Sequence, residues 1–186
     1  LGITSERLSD VAANLARAQN SLQDLVAGLC VHLVEERAGA LRFHPGFLDQ
    51  SVEVIRQIVL ASLRWLSGAE HDPRRDALFR LLGAIDDGRD ATLAGCRHWK
   101  GWLMREPRAV GEPVPVGQVW DKRWVVTGPV GEVRALGPEG LRQCPDWRAV
   151  GLPRQVLEVT PGVWRDDTLI AAPCAGFGVA TANCTI

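Results

Sequence analysis

Cys96 and His98 lie on either side of Arg97 in "DATLAGCRHW", Asp90 to Trp99. A thiol beside an imidazole could serve as a nucleophile with its base. Such a thiol needs a lowered pKa, supplied by a helix N-terminus or a nearby cation. On a strand Arg97 points to the opposite face, while His98 shares the face of Cys96. The pair then stands side by side rather than aimed together, and no third group orients the imidazole. Cys96 reads as a small buried thiol behaving as an apolar residue. Cys30 and His32 repeat the Cys-x-His spacing. Structural zinc favours pairs two to four residues apart, and on a helix such neighbours diverge. No catalytic and no metal-ligating residue is assigned.

"LSGAEHD", Leu66 to Asp72, carries Ser67, Gly68 and Asp72. It is loosely similar to the serine-glycine-rich loops that hold pyrophosphate in ATP-pyrophosphatase enzymes. Those loops follow a strand and open a helix. Here the preceding segment is helical and a second adjacent glycine is missing, so the stretch reads as a helix–helix turn. No G-x-G-x-x-G or Walker-type run occurs, and no cofactor-binding residue is assigned.

Arg74, Arg75, Arg80, Arg89, Arg97, Lys100, Arg105 and Arg108 outnumber Asp76, Asp86, Asp87, Asp90 and Glu106 in one stretch, with Trp99 and Trp102 interleaved. A basic strip with aromatics can follow a nucleic-acid backbone. A solvated helix face followed by a hairpin with core tryptophans has the same composition. Lys100 and Lys122 are the lysines; the other cations are arginine. That bias fits bidentate phosphate recognition and equally fits genomic base composition.

These residues need elements to position them. Leu8, Val11, Leu15, Ala18, Leu22, Leu25 and Leu29 alternate three- and four-residue steps, which predicts one long helix with an inner stripe and an N-cap at Thr4 or Ser5. "AGALRFHPGF", Ala38 to Phe47, interrupts it. A second helix follows Asp49, with Leu48, Val52, Ile55, Val59, Ser62 and Leu66 inward and Ile58 and Trp65 widening the stripe. A third starts with Asp72 as N-cap and Pro73 at its first position, buries Leu78, Leu81, Leu82 and Ile85, and ends at Asp87-Gly88. With no other partner in view, these helices predict a small bundle.

After Asp90, glycine and proline become frequent. Hairpins are expected across Lys100-Gly101, across Pro129-Val130-Gly131 and at Asp166-Asp167, with a short helix in "PEGLRQC". The expected class is α+β, an N-terminal helical bundle over 1–90 followed by a smaller strand-rich α/β region over 91–186.

The chain has 186 residues, 46% hydrophobic and 23% charged, with formal net charge −1. These are ordinary values for a soluble globular protein. No apolar run reaches the ~18 residues that would span a bilayer, and no signal segment opens the chain. Five scattered cysteines fit a reducing cytoplasm better than a disulfide framework. The first residue is not Met, and Met104 is the one methionine. An excerpt of a longer protein is the expectation.

The order of the pieces carries a resemblance. "DPRRDALFRLLGAIDDGRDATLAGCR" (Asp72 to Arg97) resembles the region after the catalytic domain of bacterial tRNA(Ile)-lysidine synthetases, departing at Ala94. "SDVAANLARAQNSL" (Ser9 to Leu22) is similar to the helix that follows the catalytic domain. "REPR" (Arg105 to Arg108), "VWDKRW" (Val119 to Trp124), "VRALGPEGL" (Val133 to Leu141) and "PGVWRDDTLIAAP" (Pro161 to Pro173) resemble later blocks in the same order. The resemblance implies a tRNA-modifying ligase. The family uses ATP to adenylate the wobble cytidine of a CAU-anticodon isoleucine tRNA, and free lysine then displaces AMP. Its nucleotide loop has no counterpart here. The resemblance thus implies an accessory, tRNA-binding portion that is inactive alone, with tRNA(Ile) as partner and with ATP and free lysine engaged only through a catalytic domain outside these residues. Arg74, Arg75, Arg97, Lys100, Arg105 and Arg108 are the implied tRNA contacts. A homodimer is possible on this reading. Two rivals remain open: a non-catalytic protein-interaction module using the apolar helix stripes, and a small cysteine hydrolase using Cys96 and His98.

Overall fold

A computed structural model describes residues 5–184. It is helix-first and strand-rich afterwards, the α+β class expected from the sequence. The long first helix, α1 (Ser5–Leu33), forms as predicted; the N-cap expectation at Thr4 lies outside the described residues. Leu8, Val11, Leu15 and Leu25 are nevertheless 57%, 55%, 65% and 52% exposed. Only the C-terminal part of the stripe is covered. Val26 and Leu33 are buried, and Leu22 and Leu29 pack against the core.

A hairpin lies inside the half expected to be helical. Strands β1 (Val34–Arg37) and β2 (Ala40–Phe43) pair across Ala38-Gly39, both at positive φ. Such two-residue turns twist in the sense that antiparallel strands require. Helix α2 (Val52–Ser67) follows, capped by Ser51, whose hydroxyl accepts from the Val54 N–H at 3.4 Å, and closed by Gly68 in the left-handed region. Its buried face is Val54, Ile58, Val59, Leu60, Ser62, Leu63 and Leu66. Leu48 and Val52, expected inward, are exposed. Helix α3 (Arg75–Asp86) starts later than expected, and Arg74 holds the N-cap position with no side-chain cap bond. Asp72 is not the cap, because its carboxylate accepts from Arg64 of α2 instead, at 2.6 Å from Nη2. Leu78, Leu81 and Ile85 are buried as predicted.

"ATLAGCRHW" is itself a hairpin rather than one strand. β3 (Ala91–Leu93) and β4 (Cys96–Trp99) turn at Ala94-Gly95, and β4 pairs with β5 (Trp102–Arg105) across Lys100-Gly101, as expected. All four turn residues have positive φ. These strands join the earlier hairpin in one antiparallel sheet of order β1-β2-β5-β4-β3. The compositional edge expected between residues 90 and 91 therefore falls inside this sheet, at the start of β3. The helices do not close only on one another. Ile58, Val59, Leu63, Leu66, Leu78 and Leu81 pack against Leu41, Phe43 and Leu103 from the sheet. Each such burial contributes about 1.5–3 kcal/mol.

Two smaller sheets follow. β6 (Val114–Pro115), β9 (Glu132–Ala135), β10 (Pro161–Arg165) and β11 (Thr168–Ala171) form one, in the order β11-β10-β9-β6. β7 (Val119–Trp120), β8 (Trp124–Thr127) and β12 (Thr181–Cys184) form the other, in the order β12-β8-β7. The hairpin expected across Pro129-Val130-Gly131 does not exist. β8 pairs with β12 and β9 with β10, so the connection crosses between sheets. The hairpin at Asp166-Asp167 is present. So is the short helix, α4 (Gly137–Arg142). A 3-10 turn (Trp147–Val150) and α5 (Arg154–Leu157) complete this part. Ala40, Trp102 and Met104 from the first sheet share a buried cluster with Leu136, Val156, Leu157 and Trp164. The first sheet is thus covered by helices on one face and by the later chain on the other.

Candidate nucleic-acid interface

The Cys96 thiol is not a reagent in this fold. Cys96 is 1% exposed, and burial pushes its thiol up to about 11, with the Arg105 guanidinium only partly offsetting that. His98 is also 1% exposed. Its Nδ1 lies 3.0 Å from the Arg89 carbonyl, and its Nε2 accepts from the Gly101 N–H at 3.3 Å. Both ring nitrogens are used to fasten the turn at Lys100-Gly101 to the end of α3. The two residues share a face, as alternation requires, and that face is core.

The basic residues disperse over several elements. Arg74 and Arg75 are exposed at the N-terminal end of α3, Arg75 stacking over Phe79 at 5.4 Å. Lys100 lies beyond the other end, exposed, with Nζ 5.2 Å from the Trp99 ring. Twelve helical residues span about 18 Å, so the two groups are a helix length apart. Arg97 is half-buried and paired with Asp90 at 2.7 Å. Arg108 is exposed in the loop after β5.

Arg105 corrects the expectation. It is 7% exposed, with its guanidinium committed to Asp121 through Nε at 3.0 Å and Nη2 at 3.1 Å. It also donates to the carbonyls of Gly95 and Ala109. A buried, four-ways bonded guanidinium holds the loop after β5 against the β7–β8 turn and is not a surface contact. Asp121 also accepts from the Gly111 N–H at 3.0 Å and from Arg123 at 3.4 Å. Arg123, 3% exposed, reaches back to the Gly39 carbonyl at 2.6 Å and lies over the rings of Trp65 and Trp124. This network joins residues from both sides of the compositional edge.

Sequence reasoning missed a second basic group. Arg142, Arg148 and Arg154 line one cleft of about 250 Å³ with Pro138, Leu141, Cys144, Pro145 and Trp147. Their even spacing along "LRQCPDWRAVGLPR" was the available signal. A six-residue step is no helical repeat, and Pro145 and Pro153 break any strand that could carry it, so the spacing does not mark a face.

Fold and surface together define an α+β protein whose thiol–imidazole pair is structural and whose exposed cations are mostly arginine on separate elements. Among known proteins, the chain is similar to the tRNA(Ile)-lysidine synthase of Ruegeria pomeroyi, 40% identical over 95% of its own length. It spans 44% of that relative's length. The family resemblance read from the sequence is borne out by this similarity. No family model matches the chain, and no solved structure matches it.

Proposed function

We infer that this chain is the tRNA-binding accessory portion of a tRNA(Ile)-lysidine synthase, the ligase that attaches lysine to the wobble cytidine of a CAU-anticodon isoleucine tRNA. The observation that carries the reading is 40% identity sustained across 95% of the chain to a protein of that name. ATP and free lysine would be handled by the part of such an enzyme outside these residues, in a reducing cytoplasm. Nothing in the 186 residues supplies a serine-glycine-glycine loop. Arg74, Arg75, Arg97, Lys100 and Arg108 supply cations that can meet backbone phosphates. Arg105 is withdrawn from that set by its burial.

The test is binding of the chain to isoleucine tRNA across a salt series. Each phosphate contact should steepen the inverse dependence of affinity on salt. Alanine at Arg74, Arg75 and Lys100 together should reduce that slope. Absence of tRNA binding at low salt overturns the reading. Turnover of lysine and ATP by this chain alone overturns the accessory assignment.

A second reading, a protein-interaction module, is favoured by one observation: the exposed Leu8, Val11 and Leu15 on α1. It predicts self-association and no tRNA affinity.

A further inference from the structure

Three successive elements deliver the arginines of the cleft: Arg142 from α4, Arg148 from the 3-10 turn and Arg154 from α5. Their backbones are fixed from beneath. Leu141, Cys144, Leu152, Val156 and Leu157 belong to the buried cluster under the cleft. The lining carries these three guanidiniums and no carboxylate. Arg148 is stacked over Trp147 at 4.5 Å and has no carboxylate partner among the described residues. That stacking holds the cation extended before any ligand arrives. Arg142 pairs with Glu139 on the same helix at 2.7 Å, and Arg154 with the half-buried Glu158 that caps α5 at 2.6 Å. Both guanidiniums are themselves exposed, and local surface pairs of this kind are weak and exchangeable. A phosphate can replace each carboxylate with the same charge and more acceptor oxygens. The volume suits a phosphodiester with its sugar and falls below the usual range for a whole cofactor.

We propose that this cleft is a phosphate clamp for the backbone of an RNA strand, built from Arg142, Arg148 and Arg154. It rests on the tRNA-binding reading and deepens it, adding a site separate from the strip between Arg74 and Arg108. All three side chains are exposed, so their replacement leaves the packed cluster intact.

The experiment measures tRNA affinity and its salt slope for the wild-type chain, for R142A/R148A/R154A, and for E139Q/E158Q. Circular dichroism and melting are recorded on each. Loss of three phosphate contacts should lower affinity on the order of a hundredfold or more. It should also reduce the salt slope by about two to three. Freeing the arginines in E139Q/E158Q should tighten binding severalfold. Wild-type binding with the triple variant within twofold of it overturns the clamp and leaves the tRNA reading standing. No wild-type binding at low salt overturns both. A parallel arm titrates AMP and inorganic phosphate. If either binds at micromolar level and tRNA does not displace it, the cleft serves a small phosphorylated ligand and the RNA clamp is overturned. Should the triple variant melt differently, R148E alone decides by the same criteria.

Discussion

Replacing Asp121 by Asn tests the joint that holds the molecule together. Asp121 is 8% exposed and faces two guanidiniums that are 7% and 3% exposed. Its oxygens accept from Arg105 Nε and Nη2, from Arg123 Nε and from the Gly111 N–H, at 3.0 to 3.4 Å. Its φ of 47° lies in the left-handed region, which Asn tolerates, so the backbone is not the variable. The amide keeps one acceptor and turns the other oxygen into a donor facing a donor. One charge-assisted hydrogen bond is lost, about 1.5–3 kcal/mol. The two buried cations also lose their counter-charge. Breaking a buried pair in this way costs about 3–5 kcal/mol, against a total stability of about 5–15 kcal/mol. The midpoint of melting should fall by roughly 6–20 °C, at about 2–4 °C per kcal/mol for a chain of this size. Urea denaturation of the variant measures the loss directly. In an Arg105→Met background the same substitution should cost at least about 1 kcal/mol less, since the opposed donor is gone. A loss below about 1 kcal/mol in the Asp121→Asn variant would refute the account, because it would mean that water already compensates these charges.

Other consequences are as direct. Native Cys96 should react with iodoacetamide far more slowly than a free thiol at pH 8 and at the unfolded rate in urea; fast native labelling would contradict its burial. Because its folded pKa is about 11 against 9.0 unperturbed, its contribution is present below pH 9 and lost as pH rises toward 11. The full loss amounts to roughly 2–3 kcal/mol, most of it readable as a fall in urea midpoint between pH 8.5 and 11. Gly131→Ala drives a Cβ into the Trp164 carbonyl, a backbone atom that cannot step aside, and should destabilise by about 1–3 kcal/mol; an unchanged melting point would mean that the β9–β10 pairing is looser than described. Serine at Leu8, Val11 and Leu15 together should alter stability by no more than about 0.5 kcal/mol per site, since all three are more than half exposed. A loss well above that, with the chain monomeric by sedimentation, would show that the stripe is covered.

How far the sequence carried depends on whether a signal is local. α2, α3 and the turns at Lys100-Gly101 and Asp166-Asp167 were legible because their signals lie within a few residues: a 3.6-residue period, a glycine after the turn, an acidic pair. The α1 stripe was legible as a face, but periodicity says nothing of what covers it, and Leu8 to Leu15 proved uncovered. The β1–β2 hairpin was missed because two four-residue strands around Ala38-Gly39 are too short to show alternation. Local rules pair β8 with β9 because its true partner begins at Thr181, far along the chain, beyond their reach. Composition alone reads Arg105 as a surface cation because its counter-charge, Asp121, is not a helical or strand neighbour. The cleft arginines, six residues apart across three short elements, fit no helical period, and Pro145 and Pro153 exclude a strand.

The order of the first sheet bears on how this protein can be divided. Its central ladder, Leu41 against Leu103 and Arg42 against Trp102, is stitched from segments on either side of residue 90. A gene cut there would strand β2 and β5 with bare edges, each a template for aggregation. Those edges are also complementary to each other. Two halves co-expressed or mixed should reassemble by fragment complementation, with the Phe43 N–H regaining the Gly101 carbonyl at 2.8 Å, whereas either half alone should fail to hold a native core. The place where the composition changes most is thus a seam that the chain sews shut.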